Sequence, residues 1–447
     1  MAQRESWATR AGFILAAVGS AVGLGNIWRF PYQVGEYGGA AFLVVYLLLV
    51  AFVGFPVMLA EFTIGRYTER NPVGALKQIG EGIWSKIGWV FLAAGFVILS
   101  YYSVVAGWIL QYIVIGLQGN YAAGGAAAQF GATTGGLTSV LTHAIFMAAV
   151  IGIVVFGIRD GIELSVKLMV PAIIALLFGL AAYGATLSGA GDAYAYYLSP
   201  DLGTIASNWT EILPAAAAQA FFTLSLGMGV MITYASYLGE DRNLAKDGAI
   251  IVGLDTLIAF TAGLVAFPIL FTANLTETTD GPGFIFVSLS EAFSNIPFGG
   301  ILGAIFFATV AIAALSSAIS ILEVVVSYLI DEHGIDRKPA VTALGVAIFL
   351  LGVPVAYDNS AGLVWLTVYD GLANQILLIL GGLLLALYIG WVETGLGLEE
   401  LGRGFRNLGS WGQAWIWTLR IPVILLLLVV LWYNGNAVYS SLSGIFG

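Results

Sequence analysis

Val18-Gly-Ser-Ala-Val-Gly-Leu-Gly-Asn-Ile-Trp-Arg-Phe-Pro31 lies in the first long apolar run of the chain, yet it carries Gly19, Gly23 and Gly25 and ends on Trp28-Arg29-Phe30-Pro31. Glycine costs up to about 1 kcal/mol relative to alanine in a helix interior. In lipid, each carbonyl released by unwinding must find another partner. A helix that only crosses a bilayer gains nothing from such a stretch. Residues Val22 to Gly25 therefore read as a break whose free carbonyls face a buried site, and carbonyl oxygens suit a hard cation such as sodium.

Of the 447 residues, 59% are hydrophobic and only 9% charged, with a mean hydropathy of +0.93. A soluble protein carries roughly 25% charged residues, so this is an integral membrane protein. Repeated apolar runs near the ~20 residues of a bilayer crossing make it all-α rather than a barrel. The segment Met1 to Trp7 lacks the apolar run and small-residue cleavage site of a signal peptide. With no cysteine, disulfide and thiol chemistry are excluded.

Basic residues fall in alternate loops, Arg29 excepted, while the stretches around 119–136, 189–210, 272–298 and 356–362 contain no Lys or Arg. The positive-inside rule places the N-terminus in the cytoplasm of a cell (plasma) membrane protein. Eleven spans are expected, at about 10–36, 40–68, 86–118, 137–156, 162–187, 211–238, 246–272, 299–331, 339–356, 363–392 and 411–434. An odd count puts the C-terminal tail outside. The net charge of −10 includes acidic outer loops (Asp192, Asp201, Glu211, Glu277, Asp280, Glu291, Asp358) that suit a salt-rich exterior. Several spans exceed 25 residues and must tilt or project beyond the bilayer.

A second interruption stands at Gly227-Met-Gly229, in the sixth expected span. A lone Gly-x-Gly in a membrane helix is ordinarily a packing site. Two of them at corresponding places in two five-helix halves, each flanked by hydroxyl or amide residues, point instead to discontinuous helices 1 and 6.

At this point the chain resembles a family, the neurotransmitter:sodium symporters, and within it the prokaryotic eleven-helix amino-acid transporters of the bacterial leucine-transporter fold. The matching stretches are Trp7 to Arg10, Gly19 to Pro31, Glu61-Phe-Thr-Ile-Gly-Arg66-Tyr, Ser100-Tyr-Tyr102, Gln219 to Gly229, Thr233 to Tyr237 and Gly281-Pro-Gly-Phe284. The resemblance implies a single transporter domain over 1–447, a 5+5 inverted repeat (1–187 and 211–392) and an extra helix at 411–434. That repeat signature is itself drawn from this fold, so it adds no separate support. The implied activity is sodium-coupled import of small amino acids or amines by alternating access.

Two sodium sites follow from the resemblance, and no organic cofactor. The first takes the Ala21 carbonyl, Asn26, Thr223 and Asp255; the second takes the carbonyls of Gly19, Val22 and Ala313 with the hydroxyls of Ser316 and Ser317. The two serines have another use open to them, bonding back to their own helix carbonyls. Asp255 departs from the asparagine of many relatives. A carboxylate at the membrane centre costs at least about 2.5–3.5 kcal/mol. A bound sodium offsets that cost, and the fixed charge replaces chloride, which implies chloride-independent transport. The alternative is a protonated, merely hydrogen-bonded Asp255.

Gly23 stands where monoamine-transporting relatives carry aspartate. It leaves room for a substrate carboxylate on the first sodium and the amides of the broken helix, which implies an α-amino acid. Ala21, Gly25 and Thr223 belong to the same lining. Tyr102 is expected to hold the carboxylate, unless it is simply an interior tyrosine bonded to a neighbouring helix. Ile98, Phe222, Ser225, Met228, Ser317 and Ile321 are placed around the side chain. None is charged, and an adaptable Met favours bulky apolar or aromatic substrates.

Arg29 and Asp370 are expected to pair above Phe222 when the outer gate closes. Arg4 and Asp331, with Trp7 as a plug, are expected on the inner side. Ordinary interfacial charges are the plainer reading, since exposed pairs contribute only ~0–1 kcal/mol. Glu61 is expected to hold the broken backbone of spans 1 and 6, and Glu323 has no assigned role. His143 and His333 stand apart and read as structural. The glycine-rich 119–137 reads as a flexible outer loop, no basic patch suggests nucleic acid, and the oligomeric state is open. A non-transporting amino-acid sensor using the same pocket is the competing function. An enzyme would need a nucleophile–base pair or metal cluster at depth, and neither is visible.

Overall fold

Helix is the only regular structure in the computed structural model, which describes residues 5–121, 124–239, 242–275, 279, 281–358, 360, 363–405 and 408–446. Among the described residues, nine helices are long and apolar enough to cross a bilayer, from Ala40–Thr68 to Gly409–Ile445. The bent pair Arg10–Ala21 and Gly25–Glu36, whose axes differ by 50°, has the length and composition of a tenth when counted as one span. The expected span 211–238 is divided into Leu202–Thr223 and Val230–Ala235, with six residues between them. The first piece has 22 residues but bends at Asn208 (φ −117°), and the second has only six.

The two breaks have different backbones. In the first, Val22 is extended at φ −76°, ψ 100°, and the chain resumes as a π-type turn over Gly25–Arg29. In the second, Ser225, Gly227 and Gly229 all take positive φ (52°, 76° and 75°). A Cβ at Gly227 would lie 2.0 Å from the Leu378 carbonyl oxygen, so only glycine fits there. Ser225 has no such licence. Its left-handed backbone is held at a cost of order 1–3 kcal/mol, which its hydroxyl offsets by donating to the Ser20 carbonyl at 3.0 Å.

The long helices Gly88–Leu117 and Gly299–His333 pack along each other as the central wall on which both broken helices lean. At ~1.5 Å per residue the second is about 50 Å long, well beyond a ~30 Å hydrocarbon core. Arg66, with its side chain 1% exposed, is paired with the fully buried Glu400 and also donates to the Arg242 carbonyl. Arg403 Nε touches the same carboxylate at 3.1 Å. Removing one partner of a buried pair costs about 3–5 kcal/mol. Arg66→Met is expected near the lower end of that range because Arg403 remains, and thermal denaturation in detergent measures it.

Two expectations need correction. Residues 434–446 are not a short tail: the last helix continues through Ile424–Phe446, because no proline interrupts it and Asn434 Nδ2 anchors it to the Gln375 carbonyl at 3.1 Å. The loop 119–137 contains the helix Ala126–Thr134. Its alanines favour helix, and Phe130 pins it by stacking on Phe286 at 5.2 Å and meeting Trp108 edge-on at 6.0 Å.

Candidate functional site

Asn26, Thr223 and Asp255 come from three helices and meet in the interior, all three fully buried. Asn26 Nδ2 donates to Asp255 Oδ1 at 2.7 Å and to its carbonyl at 3.2 Å, while Thr223 Oγ1 donates to the same carboxylate at 3.2–3.3 Å. Asn26 Oδ1 accepts from the Gly23 N–H at 3.2 Å. Among the described residues no cation pairs with Asp255. The group is a carboxylate, an amide and a hydroxyl converging beside the first break, a donor set of the hard-cation type.

A second cluster lies deeper along the first helix. The Ser316 hydroxyl is 2.8 Å from the Gly19 carbonyl, 2.9 Å from that of Ala313 and 3.5 Å from that of Val22. One hydroxyl proton serves only one carbonyl at a time, so four oxygens crowd where hydrogen bonding uses two. Both readings of this serine are therefore met in one geometry: it bonds back to its own helix and it faces the broken one. Ser317 faces elsewhere, into the pocket.

That pocket is formed by both breaks. Ala21, Gly23, Leu24 and Gly25 line it from the first and Phe222, Ser225 and Met228 from the second, with Ile98, Tyr102, Ser317 and Ile321 closing the sides. Thr223 is not in this wall, contrary to expectation, since its hydroxyl turns to Asp255; Leu24 is the unexpected member. The Tyr102 hydroxyl accepts from the Leu24 N–H at 3.1 Å, which leaves its own proton free to donate. The open space is about 10 Å³, room for about one water, so a larger occupant must displace part of the wall. Glycine is needed at the break for close approach: a Cβ on Gly23 would lie 2.5 Å from Tyr102 Oη, and one on Gly25 2.8 Å from Phe222 Cδ1.

Phe222 is also the floor of a cavity of about 760 Å³ that opens towards the loops lacking Lys and Arg. Arg29 sits over the Phe222 ring, its guanidinium carbon 5.1 Å from the centroid. Asp370 lines the same cavity but accepts from the Tyr101 hydroxyl at 2.9 Å and Asn374 Nδ2 at 3.3 Å. Arg29 and Asp370 form no ion pair here. The cavity is open on this side.

Similarity to known proteins is now informative. The chain matches the sodium:neurotransmitter symporter family over residues 4–134 and 128–440. It is 33% identical to an uncharacterized sodium-dependent transporter of Bacillus subtilis, over 95% of this chain and 96% of that one. The chain belongs to the sodium:neurotransmitter symporter family. The symporter is 27% identical to the sodium-dependent dopamine transporter of Bos taurus, covering 87% of this chain and 63% of that one. Among solved structures it is similar to MhsT in complex with L-phenylalanine, with a TM-score of 0.86 and 42% identity over 96% of this chain and 99% of that one. It is thus a multi-pass, sodium-dependent membrane symporter.

On the opposite side the symporter is closed. Trp7 Nε1 donates to the Tyr234 carbonyl at 3.0 Å, and its ring packs against Phe13, Tyr234 and Tyr237. Asp331 accepts from the Asn71 backbone and side chain at 2.9 and 3.2 Å; Arg4 lies outside the described residues. Glu323 gains a role that sequence left blank: Arg337 pairs with it at 2.7 Å and Tyr237 donates to it at 2.8 Å. Glu61 Oε1 accepts from the Gly227 N–H at 2.8 Å, so it holds the second break. The corresponding support of the first break comes from Gln219, whose Nε2 donates to the Gly25 carbonyl at 2.8 Å. A glutamine in an otherwise apolar run was the signal for it. His143 is fully buried, stacked on Phe349 and bonded to that residue's carbonyl at 3.1 Å.

Proposed function

We propose that the chain imports an L-amino acid with a bulky hydrophobic or aromatic side chain, coupled to sodium, independently of chloride and by alternating access. The observation that carries this reading is the wall of the pocket. It combines the backbone of two broken helices with the uncharged side chains of Ile98, Met228 and Ile321. A zwitterion with an apolar side chain matches that combination. Its carboxylate meets Tyr102 and the amides near Gly23 and Gly25, and its ammonium meets the carbonyls of the second break. L-Phenylalanine, the ligand of MhsT, is the natural first probe.

Sodium enters the reading as cargo at two places, with the Ala21 carbonyl, Asn26, Thr223 and Asp255 at one and the carbonyls of Gly19, Val22 and Ala313 with the Ser316 hydroxyl at the other; Ser317 belongs to the pocket instead. Sodium beside the substrate carboxylate makes each ligand improve the other's site, which is the coupling. The eleven spans, the 5+5 repeat, a plasma-membrane location, a cytoplasmic N-terminus and an external C-terminus belong to the same reading. Arg29 and Asp370 close over Phe222 once the pocket is filled, and the inner gate around Trp7, Arg4 and Asp331 then opens.

Proteoliposomes with an inward sodium gradient are expected to accumulate labelled L-phenylalanine, to lose that accumulation when choline replaces sodium, and to keep it when gluconate replaces chloride. Binding without accumulation would identify a sensor. Dependence on chloride would remove Asp255 as its substitute.

A further inference from the structure

Outside the pocket, two carboxylates tie the start of the first helix to the start of the fifth span. Glu163 Oε2 accepts from the Ala8 N–H at 2.8 Å, and its Oε1 accepts from the Thr9 hydroxyl at 2.8 Å and Lys167 Nζ at 2.7 Å. The Thr9 oxygen in turn caps Arg10–Ala21 by accepting from the Gly12 N–H at 2.9 Å. Glu5 does the converse. Its Oε2 accepts from the Ile158 N–H at 2.6 Å, where the fifth span begins, and its Oε1 from Arg337 at 2.9 Å. Glu5 thus caps the fifth span directly, while Glu163 fixes Thr9, the residue that caps the first helix, and helix N-termini favour negative charge.

The same two helices meet again further in. A Cβ on Gly12 would lie 2.2 Å from the Glu163 carboxyl carbon, and one on Gly19 3.1–3.3 Å from Val170 and Val166, with Ser316 at 3.4 Å on another side. The fifth span therefore grips the inner half of the first helix at its start and at its carbonyl cluster. Nothing in the pocket geometry requires the outer of these two grips.

We propose that Glu163 is a positioning residue for sodium coupling: by fixing Thr9, the cap of the inner half of the first helix, it holds the Gly19 and Val22 carbonyls against Ser316. Release of the clasp lets that half helix swing and the oxygen cluster come apart. Cation and clasp then favour the same closed-inside state, so each strengthens the other. The inference rests on reading the Gly19, Val22 and Ser316 cluster as an ion site.

The chain has no cysteine, so a single introduced thiol reports without background. Ser327 is 1% exposed and lies two turns from Ser320, on the helix face that bonds Ser20 of the first helix. In a Ser327→Cys background, Glu163→Gln is expected to raise the maleimide labelling rate in sodium by about tenfold. The sodium concentration for half-maximal L-phenylalanine binding is expected to rise by a similar factor. Thr9→Ser should match the parent, Thr9→Val should shift in the same direction, and the double variant Glu163→Gln/Thr9→Val should add little to Glu163→Gln. A merely structural glutamate would lower the melting temperature and leave sodium half-saturation unmoved. Unchanged labelling and sodium dependence in folded Glu163→Gln overturn the proposal, and Thr9→Val carries the test if that variant does not fold. Ser316→Ala separates the premise: wild-type sodium dependence there sinks the ion-site reading itself.

Discussion

Asp255→Ala is expected to abolish sodium-driven uptake, with a loss of at least about 100-fold, the equivalent of some 2.7 kcal/mol. The carboxylate is fully buried and its side-chain partners are the neutral Asn26 and Thr223. Placing such a charge at mid-membrane costs at least about 2.5–3.5 kcal/mol, and among the described residues no basic side chain offsets it. On the proposed reading a sodium ion does. Alanine would then remove both the charge and a ligand, and with them the ion's strongest contact.

Asp255→Asn separates charge from shape. It keeps an oxygen for Asn26 and Thr223 but carries no charge to bury. Without sodium, its melting temperature is expected to rise above that of the parent, because an uncompensated buried charge is gone. The stabilisation that sodium adds is expected to shrink, by mass action. These opposite shifts are read from thermal denaturation with and without sodium. If Asp255→Ala accumulates substrate as the parent does, sodium is not held at this carboxylate.

The second large effect is expected at Gly227. Alanine there would carry its Cβ into the left-handed region, at about 1–2 kcal/mol, and place it 2.0 Å from the Leu378 carbonyl oxygen. Backbone cannot step aside as a side chain can, so a total of about 3 kcal/mol or more is expected, with little folded protein recovered on size-exclusion chromatography. Gly23→Ala is the informative contrast. Its Cβ meets the Tyr102 hydroxyl at 2.5 Å and Ser317 Cβ and Oγ at 3.0 and 3.2 Å; the long tyrosine can swing about χ1, and the serine contact needs a shift of only a few tenths of an ångström. That variant is expected to fold and to lose L-phenylalanine binding by at least about tenfold, because the Tyr102 hydroxyl leaves the Leu24 N–H. A Gly227→Ala protein of parental stability would show that the second break is not built as described.

Much of this was legible along the chain. Hydropathy alone separates membrane helix from loop, because an 18-residue apolar run has no other stable setting. Gly-x-Gly inside such a run marks a break, because lipid leaves freed carbonyls without water. Partners were harder to read. Gln219 and Glu61 are both polar residues in apolar runs, yet which break each supports depends on helix rotation, and Glu323 finds Arg337 only across a helix-to-helix contact. The helix at Ala126–Thr134 was hidden by flanking glycines that say turn, while Phe130 found its partners in residues far away in sequence.

By itself, the sequence determined that this is a helical membrane protein with two interrupted spans, and it named the family, since those facts depend on local composition and on short runs of consecutive residues. Only the tertiary structure decided which side of the molecule stands open, that Thr223 turns to Asp255 rather than to the pocket, and that Glu5 and Glu163 clasp the starts of two helices together. The physical reason is that such pairings join segments far apart in sequence, 155 residues for Ala8 and Glu163 and 227 for Trp7 and Tyr234. Their distances are set by how whole helices pack, and no local run of residues encodes them.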